Sequence, residues 1–227
     1  MSDIHNRIDA FVKLGAFIAQ FTSNKKPEFN NDKEADFYDG FKHQLKLAQE
    51  HNTWFTNNNI QFALQNWADA LTESNLKKWL SAYLIDEVTP KKVAIIMAGN
   101  IPLVGFHDFL SVLISGNNAV IKMSSDDNVL LPFIIDELLK IEANFADKIN
   151  FIEDVKNKTY DAVITTGNDN SAKYFDYYFK DAKKIIRKNR KSVAILDGKE
   201  SQEELENLAN DVFSYFGLGC RNVSKIF

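Results

Sequence analysis

Residues 91–103, KKVAIIMAGNIPL, join a short apolar run to a turn of small and polar residues. The run at 93–97 is rich in β-branched residues and too short for a helix, which is typical of a buried strand. The turn at 98–102 contains Gly99, Asn100 and Pro102, and the apolar stretch that follows has the length of a helix. A strand, a turn and a helix in this order indicate a βαβ unit.

The same alternation continues through the second half of the chain. Further strands are predicted at residues 119–121, 149–152, 161–165 and 192–196, and helices at residues 103–114, 129–141, 171–179 and 202–216. Strands that alternate with helices of this length predict a doubly wound, mostly parallel sheet with helices on both faces. The predicted fold class is therefore α/β.

Residues 1–89 have a helical period instead. Their apolar residues recur every three or four positions, beginning with Ile4, Ile8, Phe11, Leu14, Phe17, Ile18 and Phe21. Such stripes predict about four amphipathic helices. We therefore divide the chain into a helical N-terminal region at 1–89, an α/β domain at 90–200 and a third segment at 201–227.

The composition excludes several classes of protein. The net charge is −4 and the pI is about 5.6, whereas a nucleic-acid-binding domain is usually basic. No stretch reaches the roughly 18 uncharged apolar residues of a membrane-spanning helix, and the N-terminus lacks the basic region of a secretory signal. A single cysteine forms no internal disulfide. We therefore expect a cytoplasmic protein that has no nucleic-acid or membrane partner.

Four turns contain the candidate site residues. Ligands of open parallel sheets bind beyond the carboxyl ends of the strands, where the turns at 98–102, 122–125 and 166–169 are expected. The fourth turn, GLGC at 217–220, follows the last helix and contains Cys220. The sequence has no GxGxxG, Walker A, HExxH or CxxC motif, so no metal is expected and no familiar motif identifies a nucleotide site.

Taken one at a time, these residues also have ordinary explanations. Residues 166–171 fit a capped turn, Lys122 fits a solvated strand end, and a lone cysteine is often a small core residue. His107 lies on an apolar helix and is interpreted as a structural residue. The basic run at 183–191 is interpreted as a solvated strand flank.

In order and spacing, however, the four turns resemble those of the aldehyde dehydrogenases. The proline-tryptophan-asparagine-phenylalanine-proline turn of that family is matched by AGNIPL at 98–103. Its strand that ends in lysine, proline, serine and glutamate is matched by the segment at 115–125, and its threonine-glycine-serine turn by residues 166–168. Its glycine-glutamine-x-cysteine loop is matched at 217–220. The sequences of these turns are most similar to those of the luminescence-type acyl-CoA reductases. The resemblance covers residues 91–227, and it extends more loosely to the helical residues before them.

The resemblance implies an aldehyde-dehydrogenase-like fold and a role for each matched residue. Cys220 would be the nucleophile, and the Asn100 side chain and the Cys220 backbone N–H would stabilise the oxyanion. The residues implied in cofactor binding are Lys122, Ser124 and Ser125 near the adenosine ribose, and Thr166, Gly167 and Asn168 near the pyrophosphate. Residues 201–227 would then begin the catalytic domain.

Two departures from the family pattern refine the implied activity. Ser125 replaces a glutamate that would repel a 2′-phosphate, which favours NADPH, with NADH as the alternative. Arg187 stands in the segment that matches the glutamate general base of the hydrolytic members, and a guanidinium cannot take a proton from water. The resemblance thus implies reduction of a fatty acyl-CoA, or of an acyl-protein thioester, to the aldehyde through a cysteine thioester.

Two other hypotheses remain open. The chain could be another non-hydrolytic member of the superfamily, either CoA-acylating or acting on acyl phosphates, or it could be a nucleotide-binding module without catalysis. Members of the family continue beyond the position of residue 227, which implies a truncated catalytic domain. We therefore expect little activity from this chain alone, and a homo-oligomer for the whole protein.

Overall fold

A parallel sheet, here called the main sheet, is built around the apolar run at 93–97. The computed structural model describes residues 3–22, 27–29, 31–85, 89–156, 158–167, 169–188 and 191–227. The strands of the main sheet are β1 (Lys92–Ile96), β2 (Asn118–Lys122), β3 (Ile149–Phe151), β4 (Ala162–Thr166) and β5 (Lys183–Arg187). Among the described residues they form a five-stranded sheet in the order β3-β2-β1-β4-β5, with all neighbours parallel. The predicted α/β class is therefore confirmed.

Helices cover both faces of this sheet, as expected for a doubly wound fold. The helices of this half of the chain are α5 (Phe106–Ile114), α6 (Leu130–Ile141), α7 (Asp169–Tyr178) and α8 (Gln202–Phe213). Ile95 and Ile121 of neighbouring strands pack in the larger core cluster together with residues of α5 and α6. On the opposite face, Ala94 and Val163 pack with Phe179, which follows α7. Alternate residues of a strand point to opposite faces, which explains this division.

The N-terminal region is helical, as its apolar stripes predict. Its described part contains four helices, namely α1 (Ile4–Ala19), α2 (Asp32–His51), α3 (Asn57–Ala70) and α4 (Glu73–Leu80). The side chains of Asn31, Thr56 and Thr72 accept hydrogen bonds from backbone N–H groups at the starts of α2, α3 and α4, which satisfies donors that have no partner within the helix.

The helical region does not have a core of its own. Phe11 of α1 is fully buried, and its ring centroid lies 6.4 Å from that of Phe109 in α5 and 5.9 Å from that of Phe145. Both partners belong to the α/β half, so one hydrophobic core joins the two predicted parts.

Two strands differ from the prediction. Residues 183–187, interpreted as a solvated flank, form the edge strand β5 beside β4. The strand predicted at 192–196 is β6 (Ser192–Ala194), and it pairs with β7 (Val223–Ile226) in a separate sheet. This pairing joins residues from either side of the predicted domain limit at 200.

Two helices are shorter than predicted because the backbone turns at their ends. Leu103 has a φ of 57°, in the left-handed region, and α5 begins only at Phe106. Tyr215 and Phe216 also have positive φ values, so α8 ends at Phe213 instead of 216. In the part of the chain that the structure describes, none of the helices has both the length and the apolar character needed to cross a bilayer.

Candidate active site

The nucleophile loop, residues 214–222, presents Cys220 at the surface. Gly217 has a φ of 75°, a backbone angle that residues with a Cβ rarely adopt. A Cβ on Gly219 would clash with Oδ1 of Asn222, so a side chain there would displace the Asn222 amide. Asn222 Nδ2 donates hydrogen bonds to the carbonyl oxygens of Asp211 and Ser214, each at 2.9 Å. The loop is thus closed on itself, and Cys220 is exposed at its tip.

Asn100 meets this loop from the other half of the fold. Its Nδ2 donates a hydrogen bond of 2.6 Å to the carbonyl oxygen of Leu218, although the two residues are 118 positions apart. Asn100 stands in the turn after β1 because the chain leaves the carboxyl end of that strand at Met97. An amide nitrogen carries two hydrogens, and this bond uses one of them; Asn100 itself is not among the residues that line the cavity beside Cys220.

Aromatic contacts attach the same loop to the helical N-terminal region. The ring of Phe216 lies 5.7 Å from that of Trp54, and the ring of Tyr215 lies 5.5 Å from that of Phe62 in α3. The left-handed backbone at Tyr215 and Phe216 directs both rings toward these partners. The helical region therefore helps to position the loop that carries Cys220.

A cavity of about 440 Å³ opens beside Cys220. Its apolar wall comes from α3 and from the turn before α5, and includes Phe62, Trp67 and Leu103. The polar part of the lining includes Thr166 at the end of β4 and Arg187 at the end of β5. The cavity thus joins an exposed thiol to both an apolar and a polar surface. Such a combination suits a ligand with a reactive polar group on an apolar chain.

The polar side is organised by an ion pair between Arg187 and Asp108. Nη1 of Arg187 lies 2.6 Å from Oδ1 and 2.5 Å from Oδ2 of Asp108. Burial would raise the pKa of Asp108, but hydrogen bonds from His107 and Arg187, together with their charges, lower it below the usual value. Asp108 is therefore a carboxylate at neutral pH, and it holds the guanidinium at the cavity.

The structure adds a place at the cavity to two interpretations made from the sequence. Arg187, assigned to a solvated flank, is ion-paired and lines the cavity. His107, interpreted as a structural helix residue, has a side chain that is 56% exposed and also lines the cavity. Its Nδ1 lies 3.5 Å from Oδ1 of Asp108.

The other candidate residues lie at the same edge of the main sheet. Lys122 ends β2 beside Ile96 of β1, and Ser124 and Ser125 follow it, but none of these three lines the cavity of Cys220. The backbone N–H of Gly167 donates to the carbonyl oxygen of Arg187 at 3.1 Å, so it is already engaged. Asn168, the remaining cofactor candidate, lies outside the described residues.

The turn at 124–127 is anchored from two sides. Nε2 of His51, at the end of α2, lies 2.6 Å from the carbonyl oxygen of Ser125. The carboxylate of Asp127 accepts hydrogen bonds from the backbone N–H groups of Leu103 and Val104, and burial raises its pKa to about 7. Asp127 therefore ties the turn after β2 to the turn that carries Asn100.

The chain resembles known proteins in both sequence and fold. The model of the family described as acyl-CoA reductase (LuxC) matches residues 7–227, whereas no curated protein sequence matches. Among solved structures, aldehyde dehydrogenase 21 from Physcomitrella patens, in complex with succinate, has a TM-score of 0.70 at 11% identity over 99% of this chain and 48% of its own.

Two further solved structures give the same result. An aldehyde dehydrogenase from Bacillus cereus in complex with NAD⁺ has a TM-score of 0.66 at 14% identity over 100% of this chain and 47% of its own. Betaine aldehyde dehydrogenase from Staphylococcus aureus, also with NAD⁺, has a TM-score of 0.66 at 14% identity over 99% of this chain and 46% of its own. The chain thus has the fold of these enzymes and spans about half of their length.

Proposed function

This chain belongs to the acyl-CoA reductase (LuxC) family, and we propose that it reduces an acyl thioester to the aldehyde with Cys220 as the nucleophile. The proposed substrate is a fatty acyl-CoA or an acyl group bound to a protein. The observation that carries the proposal is the exposed Cys220 at a cavity of about 440 Å³ with one apolar wall. An acyl chain would lie against this wall, with its thioester carbonyl at the thiol.

The first chemical step is acyl transfer to Cys220. Its thiolate attacks the thioester carbonyl, and the carbonyl oxygen gains negative charge. The second amide hydrogen of Asn100 and the backbone N–H of Cys220 would stabilise this oxyanion. Loss of one such donor typically lowers the rate by about 10²–10³. Coenzyme A then leaves, and the acyl group remains on Cys220 as a thioester.

The acyl group must then be protected from water. Arg187 lines the cavity as a guanidinium paired with Asp108, and a guanidinium cannot act as a base toward water. Hydrolysis of the acyl-enzyme therefore lacks its usual catalyst at this position. A nicotinamide cofactor would supply the hydride, after which the thiohemiacetal on Cys220 collapses to aldehyde and thiolate.

The residues at the strand ends fit a nicotinamide nucleotide by their chemistry. Lys122, Ser124 and Ser125 offer donors for the ribose or a 2′-phosphate, and Thr166 would contact the pyrophosphate near Gly167. The two solved structures that share this fold and contain NAD⁺ support a nicotinamide nucleotide as the cofactor. We propose NADPH because Ser125 carries no charge.

One contact favours NADH as a second candidate. The hydroxyl of Ser125 lies 3.3 Å from Oδ1 of Asp126, and a carboxylate at this place would bind ribose hydroxyls and repel a 2′-phosphate. Titrations of the whole protein with NADPH and NADH, followed by the quenching of nicotinamide fluorescence, distinguish the two. Tighter binding of NADH would contradict our choice.

The test of the proposed function is acyl transfer to the protein. We expect the whole protein to become labelled by radioactive acyl-CoA in the absence of reduced cofactor, and Cys220→Ala to take up no label, since the variant lacks the proposed acyl acceptor. Asn100→Ala is the companion variant. This variant should still be labelled, but at a rate about 10²–10³ times lower if the Asn100 side chain donates to the oxyanion.

The outcomes separate the alternatives. Label retained by Cys220→Ala would refute the assignment of the nucleophile. Labelling by acyl phosphate but not by long or short acyl-CoA would favour another non-hydrolytic member of the superfamily. A thiol of Cys220 that resists alkylation at neutral pH would favour a module without catalysis. The exposure of Cys220 speaks against that last alternative.

We propose that the active form is a homo-oligomer of the whole protein in the cytoplasm. The chain spans about half of the solved structures that share its fold, so activity and assembly are properties of the whole protein. Size-exclusion chromatography with light scattering tests the assembly.

A further inference from the structure

We propose that His107 donates the proton that the departing thiolate of coenzyme A takes up during acyl transfer to Cys220. This inference rests on the proposed function, because it concerns the leaving group of the same reaction. The structure brings a thiol, an imidazole and a buried carboxylate to one cavity, through Cys220, His107 and Asp108. The role differs from that of Asn100, which acts on the carbonyl oxygen.

A proton favours this step because an alkyl thiolate is more basic than an aryl thiolate, and its protonation prevents the reverse attack on the new thioester. The Cys220 thiolate attacks, a bond forms between its sulfur and the acyl carbon, and the bond from that carbon to the CoA sulfur breaks with its electron pair. The imidazolium of His107 transfers its proton to this sulfur, which leaves as the free thiol, and the imidazole then regains a proton from water. Acyl transfer thus consumes one proton, as the reduction of a thioester to aldehyde and thiol requires.

The surroundings of His107 orient its ring for this role. Nδ1 lies 3.5 Å from Oδ1 of Asp108, and Asp108 is itself fixed by Arg187. Among the described residues no hydrogen bond engages Nε2, and the side chain is 56% exposed at the cavity. The centroid of the Trp79 ring lies 6.0 Å from that of the imidazole.

Other proton donors at the cavity fit less well. Burial raises the pKa of Tyr215, against a hydrogen bond with Asn66 that lowers it, so this phenol is a weaker acid than usual. Lys188 also lines the cavity, but it is exposed and its charge acts on Asp176, which does not line the cavity. Imidazole gives and regains a proton near pH 7, which repeated turnover requires.

The test compares two leaving groups on the same acyl chain. One donor is acyl-CoA, and the other is the 4-nitrothiophenyl thioester, whose aromatic thiolate leaves without a proton. Rapid-quench labelling of the whole protein measures acylation without reduced cofactor. We expect His107→Gln to slow acylation by acyl-CoA about 100-fold or more, and to leave acylation by the aryl thioester within about threefold of wild type.

The aryl thioester also serves as the control for folding and for access to Cys220. His43→Gln, which changes an exposed histidine of α2 away from the cavity, should acylate like wild type with both donors. Equal losses with both donors would overturn the proposal and give His107 a structural role. No loss with acyl-CoA would also overturn it, although the proposed function would survive. Failure of acyl-CoA to label wild type would refute the proposed function and this inference with it.

Discussion

At the scale of single residues, the ion pair of Asp108 and Arg187 determines the charge of the cavity. Asp108→Asn keeps the shape of the side chain but removes its charge from a buried place. We expect the free energy of unfolding at pH 7 to fall by about 1.5–3 kcal/mol, because a hydrogen bond between charged groups is lost. Urea unfolding measures this change.

The pH dependence of this effect follows from the lowered pKa of Asp108. A carboxylate whose pKa is lowered by folding stabilises the protein above its unfolded pKa, and this stabilisation is lost as the pH falls through the folded pKa. The difference between wild type and Asp108→Asn should therefore shrink in acid. Asp176→Asn is the matched control, since it breaks an exposed ion pair with Lys184, which solvent screens, and it should cost clearly less than Asp108→Asn. Equal losses in both variants would contradict the prediction.

The residues of the site were predictable where a turn carries them. Cys220 and Asn100 lie in short glycine-containing turns whose order along the chain is recognisable, and the structure brings these two turns together. His107 and Arg187 lie in an apolar helix and a basic run. Their common partner, Asp108, is 79 residues from Arg187 in the sequence, so no local pattern indicates the contact.

At the scale of elements, the turn that carries Asn100 depends on Asp127. Leu103 has a φ of 57°, which is unfavourable for a residue with a branched side chain. The Asp127 carboxylate accepts the N–H groups of Leu103 and Val104 and offsets this cost. Asp127→Asn retains an oxygen acceptor for these donors but has no charge to bury.

We expect Asp127→Asn to change how stability depends on pH. The pKa of Asp127 is about 7 in the folded chain, whereas the ordinary value for this carboxyl group, expected in the unfolded chain, is 3.8. Between these values the folded state holds a proton that the unfolded state has lost, so this residue lowers stability as the pH rises from 4 to 7. The difference in free energy of unfolding between the variant and wild type should shift in favour of the variant across this window, by up to about 4 kcal/mol.

Urea unfolding at pH 4.5, 6 and 8 measures this difference. Asp126→Asn, at the exposed neighbour, is the matched control and should keep the pH dependence of wild type. A constant difference between Asp127→Asn and wild type at all three pH values would show that Asp127 does not titrate in this range.

Elements were predictable where burial leaves a periodic pattern. β1 and β2 are apolar because both faces of a central strand are covered. β5 was missed because it is an edge strand, KKIIR, in which charged residues face solvent and prevent association. The partner of β6 was missed because β6 and β7 are short and far apart in the sequence.

At the scale of the whole molecule, the helical region and the main sheet share one core. Phe11 joins them, because its ring contacts Phe109 and Phe145 of the α/β half. The helical region also lines the cavity through Phe62 and Trp67 of α3. A division at residue 89 therefore describes a change of period in the sequence and not a boundary between independent cores.

This shared core predicts a single unfolding transition for the chain. All three tryptophans lie in residues 54–79, so their fluorescence reports on the helical region, whereas far-ultraviolet circular dichroism reports on the whole chain. We expect both signals to give the same urea midpoint in wild type. Phe11→Ala should lower the free energy of unfolding by about 3–5 kcal/mol and shift both midpoints together. Phe151→Ala, at a partly exposed ring on β3, should cost much less. A variant of Phe11 in which the fluorescence midpoint moves alone would mean that the helical region unfolds independently of the sheet.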